Sequence, residues 1–403
     1  MSNTADILPE LLDSAEGVDS YELHRVIRLE CLAAIQESAG EILCGPYKVD
    51  SSNFALRLKF SKDDALTAVE AGPLCSAELV SGIRARIRTG ILNPGPVAVY
   101  SKVLFAERKL KGIYRYRDLA QILPMPPGSP QPLAAADYPL RLELKLHISE
   151  DPVISQIRFA RHARRWELLL CGLLSNRIHQ IDTGAHWVLV GPGACVQALA
   201  HYEPMGFPQS PEFTDLKAFP RAQTDDPRML FGPPARAHGE PLSIPSNLPD
   251  ILDAFWASDA RQEQFLRACY WLQQADLART NAFSPTFLGL VAAAETLFEP
   301  HKGTCATCGQ EIYKLRSRFE EFLRKYLSPE VLSDASLPGQ KPFLERLKQL
   351  YDHRSKIAHG AVLSGYDGDY QFAPSQNLEV RDVAVLSQAL PAAMGKWMLD
   401  HSS

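Results

Sequence analysis

Proline constrains this chain more than any other feature. Between residues 204 and 249 it recurs as Pro204, Pro208, Pro211, Pro220, Pro227, Pro233, Pro234, Pro241, Pro245 and Pro249. Proline has no backbone N–H to donate, and its ring clashes inside a helix, so neither a long helix nor a central strand can run through such a stretch. The segment is expected to be an extended connector, or a clasp lying over a domain. It divides the 403-residue chain into 1–203, the connector 204–249, and 250–403. A chain of this length is expected to form more than one core.

The two sides of the connector differ in apolar period. Before it, "FALRLKF" (54–60), "GPVAVYSKVLFAE" (95–107) and "LRLELKLHI" (140–148) alternate or run apolar as strands do. "GAHWVLVGPG" (185–194) reads as a short buried strand ending in a turn. "YELHRVIRLECLAAI" (21–35) and "RFARHARRWELLLCGLL" (158–174) read as helices. Residues 1–203 are therefore expected to form an α+β domain. After the connector the pattern is helix upon helix, at about 259–279, 287–299, 311–327, 341–359 and 381–399, which predicts an all-α bundle over 250–403.

Charge and composition exclude several classes. With 22% charged residues and a net charge of −5, the chain is not a bulk electrostatic binder of nucleic acid, so any such contact needs a local basic patch. The longest strongly apolar run, "WELLLCGLL" (166–174), falls far short of the roughly 20 residues of a membrane-spanning helix. The acidic start "MSNTADILPELLDSAE" has no apolar signal segment, so a cytoplasmic location is expected. Cys31, Cys44, Cys75, Cys171, Cys195 and Cys269 are isolated in apolar surroundings and read as reduced core residues.

The helix at 341–359 contains the anomaly. At about 100° per residue, Phe343, Leu344, Leu347, Leu350, Tyr351, Ile357 and Ala358 share one sector, and Arg354 falls near its centre. Glu345, Lys348, Asp352 and Lys356 lie opposite. A guanidinium there needs a carboxylate, a cleft or a partner chain, because burying it alone costs several kcal/mol. Glu295, at the edge of the apolar "FLGLVAAAETLFE" helix, is one such carboxylate. His359 precedes Gly360, the residue type that stops helices, and the negative end of the helix dipole favours its protonated form. Positions 354 and 359 are about 140° apart, so they flank one groove; the same helix from a second subunit would bring two arginines and two histidines together.

"YDHRSKIAHG" (351–360) resembles the R-x4-6-H signature of HEPN domains, and the ApeA-like subset in particular, as does "LGLVAAAETLFE" with its glutamate. The likeness covers about 255–400 and none of the first half. It implies an all-α HEPN-like bundle that dimerises, and a metal-independent endoribonuclease of the kind found in toxin–antitoxin and antiviral defence systems. Carried over residue by residue, His359 would be the general acid or base for attack by an RNA 2′-hydroxyl, and Arg354 would stabilise charge on the phosphoryl oxygens. Glu295 and Ser355 complete the implied catalytic set. Ser355 departs from the family, where Asn, Asp or His often follows the arginine; a serine donates a hydrogen bond but is no base near neutrality. The alternative is a non-catalytic HEPN-like module that binds nucleotides or RNA, or serves to dimerise. Residues 1–203 are left the role of sensing a trigger or presenting substrate.

Two further features remain. "HKGTCATCGQEIYK" (301–314) holds a C-x2-C turn, half of a structural zinc site, with Cys305 and Cys308 as ligands and His301 as a third. Cys269, His353 or a second chain could supply a fourth; a redox-active pair or inert thiols are the other readings. No catalytic metal is expected. Basic residues gather in "FAERKLKGIYRYRDL" (105–119), "RFARHARR" (158–165) and "YKLRSRFEEFLRK" (313–325). They read either as solvated faces or as RNA-tracking surface, with Tyr114 and Tyr116 stacking on bases and Arg158, Arg161, Arg165 and Lys356 on phosphates.

Overall fold

The computed structural model of this protein describes residues 6–12, 19–62, 65–93, 95–125, 138–174, 178–180, 186–191, 194–198, 208–215, 220–222, 224–225, 241–279, 282–298, 303–304, 311–312, 315–334, 341–358, 367 and 377–401. The chain has an N-terminal β-sheet region and a C-terminal helical region. Packing groups it into two compact units that are each discontinuous: residues 1–101, 143–162 and 204–213 in one, and 102–142, 163–203 and 214–403 in the other. These are not the linear pieces divided at 203/204 and 249/250. Strands β5 (Val97–Ala106) and β8 (Tyr138–His147) and helix α4 (Pro152–Leu173) each contribute residues to both units.

The first unit is built on an antiparallel meander, β1 (Ala33–Ser38), β2 (Glu41–Gly45), β3 (Leu56–Phe60) and β4 (Leu66–Ala71), in that spatial order. Gly40, at φ +86°, makes the turn between β1 and β2 in a conformation that suits glycine. Helices α1 (Leu8–Leu12), α2 (Ser20–Glu30) and α3 (Ala77–Ile87) supply Leu11, Leu23, Val26, Ile27, Ile83 and Ile87 to the core with Leu56, Leu58 and Val69. Fully burying such a side chain is worth about 1.5–3 kcal/mol. The expected helix over 21–35 ends early. Asp19 caps its start, accepting from the amides of Tyr21 and Glu22, and the chain leaves the helix at Cys31 because Ala33–Gln36 pair with Gly45–Ile42 in β2.

In the second unit, the later part of β5 pairs with β9 (Ile178–His179) through Phe105 and His179, and β6 (Tyr114–Tyr116) pairs with β7 (Ala120–Pro124). Described pieces of the proline stretch bond to residues 109–113. The Ile113 amide donates to the Pro220 carbonyl, the Ala222 amide to the Ile113 carbonyl, and the Leu242 amide to the Lys109 carbonyl. In the first unit β12 (Pro208–Ser210) lies antiparallel on the early part of β5.

The helices that follow are α5 (Leu248–Ala257), α6 (Asp259–Ala278), α7 (Phe283–Thr296), α8 (Leu315–Tyr326), the short α9 (Pro329–Asp334), α10 (Phe343–Ala358) and α11 (Asn377–Asp400). Their core holds Phe255, Phe265, Leu272, Phe287, Leu290, Phe319, Leu347, Leu386 and Trp397. Helix α7 starts four residues before the expected 287, so that Pro285 sits inside its first turn, where a missing N–H costs little. Helix α5 has no counterpart in the expected set. Among the described residues no helix is long and apolar enough to cross a membrane.

Candidate functional site

The elements bearing the HEPN-like residues meet inside the helical unit. On α10, Phe343, Leu347 and Tyr351 are buried at successive turns while Glu345 and Asp352 are exposed, as the wheel requires. The Tyr351 hydroxyl donates to Glu295 Oε1 at 2.5 Å, and its ring lies tilted against Phe319 with centroids 5.2 Å apart. This bond joins the C-terminal end of α7 to the third turn of α10. On the outer side, Lys348 pairs with Glu320 at 2.9 Å and Asp352 with Arg316 at 3.1 Å, tying α10 to α8.

The carboxylate singled out in the sequence is therefore in contact with the tyrosine of the same motif. Arg354 belongs to α10, three positions beyond Tyr351. Its side chain lies outside the described residues, as do those of Ser355 and Lys356. His359 and the three zinc candidates His301, Cys305 and Cys308 lie outside the described residues altogether. The flanking pieces Gly303–Thr304 and Glu311–Ile312 pair antiparallel, so the two cysteines fall in the connection between two bonded strands.

Cys269, named above as a possible fourth zinc ligand, is a core residue. It is fully buried, its sulfur lies against Gly172 of α4, and burial pushes its thiol well above the ordinary range. Cys31, Cys44 and Cys171 are likewise buried, as expected, whereas Cys75 is only half-buried; the Cys195 side chain lies outside the described residues.

Two arginines of the 158–165 cluster are engaged within the protein. In the first unit, Arg158 grips both carboxylate oxygens of Glu22 at 2.9 Å and also donates to the Ile91 carbonyl at 3.2 Å. Arg161 pairs with Asp19 and lies over the Tyr21 ring. Burial of Asp19 works against its ionisation, yet the Arg161 bond and the capping amides hold its carboxyl below the usual value. The bidentate pair leaves Arg158 few guanidinium donors for a phosphate, so it acts in this geometry as a tether between α4 and α2, not as an RNA surface; Arg161 adds an ion pair to the cap of α2. Arg165 is half-buried on the part of α4 that belongs to the second unit. Tyr116 is no stacking platform either. It is 2% exposed, its hydroxyl donates to Asp253, and Tyr114 beside it has a buried hydroxyl.

Two buried polar groupings were not anticipated. Arg346 on α10 and Asp382 on α11 form a bidentate ion pair, both bonds 2.6 Å, with side chains 6% and 2% exposed. Arg346 also donates to the Lys341 carbonyl. The second grouping centres on Glu167 of α4. Its Oε1 accepts from Arg164, Gln273 and the Gln180 amide at 2.8, 3.0 and 3.2 Å, and its Oε2 lies 3.6 Å from Lys102 Nζ. Burial drives the Lys102 pKa down against the opposing pull of Glu167. A signal for this network was present: Lys102 and Glu167 are each a single charge within an apolar run, "VAVYSKVLFA" and "WELLLCGLL". Through three internal donors on Oε1 and the Lys102 ion pair, Glu167 links β5, α4 and α6.

No protein-family model, curated protein or solved structure matches this chain. Functional inference accordingly rests on the residues and their geometry. Among the described residues no group of three or more His, Cys, Asp or Glu side chains is arranged to hold a metal ion.

Proposed function

We propose that residues 250–403 form a HEPN-like bundle that dimerises and cuts RNA without a catalytic metal. The supporting observation is the Tyr351–Glu295 hydrogen bond, which joins the glutamate helix to the helix carrying the arginine–histidine motif. In this reading His359 moves the proton: it takes one from the ribose 2′-hydroxyl, or gives one to the departing 5′-oxygen. The 2′-oxygen bonds to phosphorus as the P–O5′ bond breaks, leaving a 2′,3′-cyclic phosphate and a 5′-hydroxyl. Arg354, a permanent planar donor, stabilises the charge that builds on the phosphoryl oxygens. Ser355 donates a hydrogen bond, Lys356 adds positive charge for the backbone, and Glu295 orients α10 through Tyr351. A toxin or antiviral effector acting on RNA in the cytoplasm, with residues 1–203 answering a trigger, is the biological setting proposed. A structural zinc held by Cys305, Cys308 and His301 belongs to the same proposal. Metal analysis of pure protein should then find about one zinc per chain; a value near zero removes the ion.

The second reading is a non-catalytic module that binds RNA or nucleotides, or only dimerises. Its support is that Glu295 accepts from a tyrosine only 8% exposed, which is how a carboxylate used as scaffold behaves. Cleavage assays on full-length protein separate the two. His359→Ala and Arg354→Ala should each lower the cleavage rate by at least about a hundredfold, in keeping with the loss of an acid–base group or an oxyanion donor. RNA that is bound but cut by neither wild type nor variants assigns the second reading.

A further inference from the structure

We propose that Cys31 and Cys44 are an oxidant-responsive thiol pair, joined by a disulfide when hydrogen peroxide reaches them. Cys31 ends α2: its amide still donates to the Ile27 carbonyl, and its own backbone is already extended. Cys44 lies on β2, opposite Ala34 of β1 and Leu56 of β3. Ala34, Cys44 and Leu56 pack into the core beneath the helices, and Cys31 belongs to that same core. There the Cys31 thiol donates a hydrogen bond to the Cys44 sulfur, so the two sulfurs are in contact. The pair lies wholly within the first unit and needs nothing from the ribonuclease reading.

The two sulfurs differ in acidity. The bond from Cys31, with the Arg28 charge, outweighs burial and holds the Cys44 thiol below its ordinary value. The same bond, with burial, pushes the Cys31 thiol up. Cys44 is therefore the nucleophile and Cys31 the resolving thiol. The Cys44 thiolate attacks one peroxide oxygen, the O–O bond breaks, and the departing hydroxide takes the proton that Cys44 released and leaves as water. The Cys31 sulfur, giving up its proton, then displaces the hydroxyl of the Cys44 sulfenic acid as a second water. Two electrons pass from sulfur to peroxide, and an added dithiol returns them. Cys31 is 4% exposed and Cys44 fully buried, so a small uncharged oxidant is the class that suits them. Cys75, half-buried against the same core, has a thiol raised by burial and by Glu10 nearby, which makes it the poorer nucleophile. The new bond closes residues 31–44 into a loop and staples the end of α2 to the sheet, which stabilises chiefly by restricting the unfolded chain.

The test treats reduced, full-length protein with hydrogen peroxide in the absence of denaturant, blocks the remaining thiols and maps linked peptides by mass spectrometry. A Cys31–Cys44 disulfide, two hydrogens lighter and reversed by dithiothreitol, is expected as the first product, with Cys171 and Cys269 still recovered as free thiols. The oxidised protein should melt at a higher temperature than the reduced one. In Cys31→Ala the reaction should stop at a sulfenic acid on Cys44, captured by dimedone on unfolding. In Cys44→Ala the Cys31 thiol should stay unmodified, and Cys75→Ala should form the cross-link as wild type does. Mapping on wild type needs no variant, so it decides the matter even where a variant fails to fold. Thiols that all stay free under peroxide, a Cys31–Cys44 bond that forms only in unfolded chain, or Cys75 as the partner of either sulfur would overturn the proposal.

Discussion

Arg346 and Asp382 show what a buried charge in this bundle requires. Both side chains are nearly sealed from solvent, and each guanidinium bond has a carboxylate oxygen at 2.6 Å. Removing one partner strands the other, so Arg346→Ala or Asp382→Ala should cost about 3–5 kcal/mol in chemical denaturation. Replacing both by apolar residues of similar volume should cost far less. Tyr351→Phe deletes one hydrogen bond to a charged acceptor and should cost about 1.5–3 kcal/mol. The helical wheel drew attention to Arg354, at the centre of the apolar sector, and passed over Arg346 at its edge. A wheel ranks positions by angle, whereas burial at Arg346 depends on α11 bringing an aspartate from 36 residues away. The same limit hid Asp367, an acidic residue in a polar stretch whose partners are the backbone amides of Phe283 and Ser284.

At the scale of elements, period was a good guide and pairing was not. The helices at 259–279, 311–327, 341–359 and 381–399 correspond to α6, α8, α10 and α11, because an apolar stripe at helical spacing is a local property. The β1–β2 hairpin was read as the tail of a helix. "CLAAI" suits either state, and the choice was made by Gly45–Ile42 on the neighbouring strand. Close approach between helices is legible only in three dimensions. A methyl group added at Gly289 of α7 would lie 2.9 Å from the Ala275 side chain and 3.1 Å from its backbone on α6. Gly289→Ala gains about 1 kcal/mol of helix propensity, yet the clash with rigid backbone should win, for a net loss of about 1–2 kcal/mol and a lower Tm.

For the whole molecule, the described pieces of the proline stretch fall in both compact units. They bond to β5 and to 109–113, and the compact units recruit residues from both sides of the stretch. Composition cannot reveal such interleaving, because strand partners are chosen across long sequence distances. Acid should weaken the sheet unit first through His24. Burial, with Arg28 and Arg25 nearby, lowers its pKa from 6.5 to about 4, and its ring stands edge-on to Phe60. The unfolded chain then binds the extra proton between about pH 6.5 and 4, so this share of stability is complete above 6.5 and declines as pH falls towards 4. His24→Gln should flatten the pH dependence of denaturation across that window.

The identity of the RNA ends tests the central claim most directly. Wild-type protein with its trigger should leave 2′,3′-cyclic phosphate and 5′-hydroxyl termini, and His359→Ala should leave the RNA whole. Termini bearing 3′-hydroxyl and 5′-phosphate, or equal cutting by His359→Ala, would contradict it.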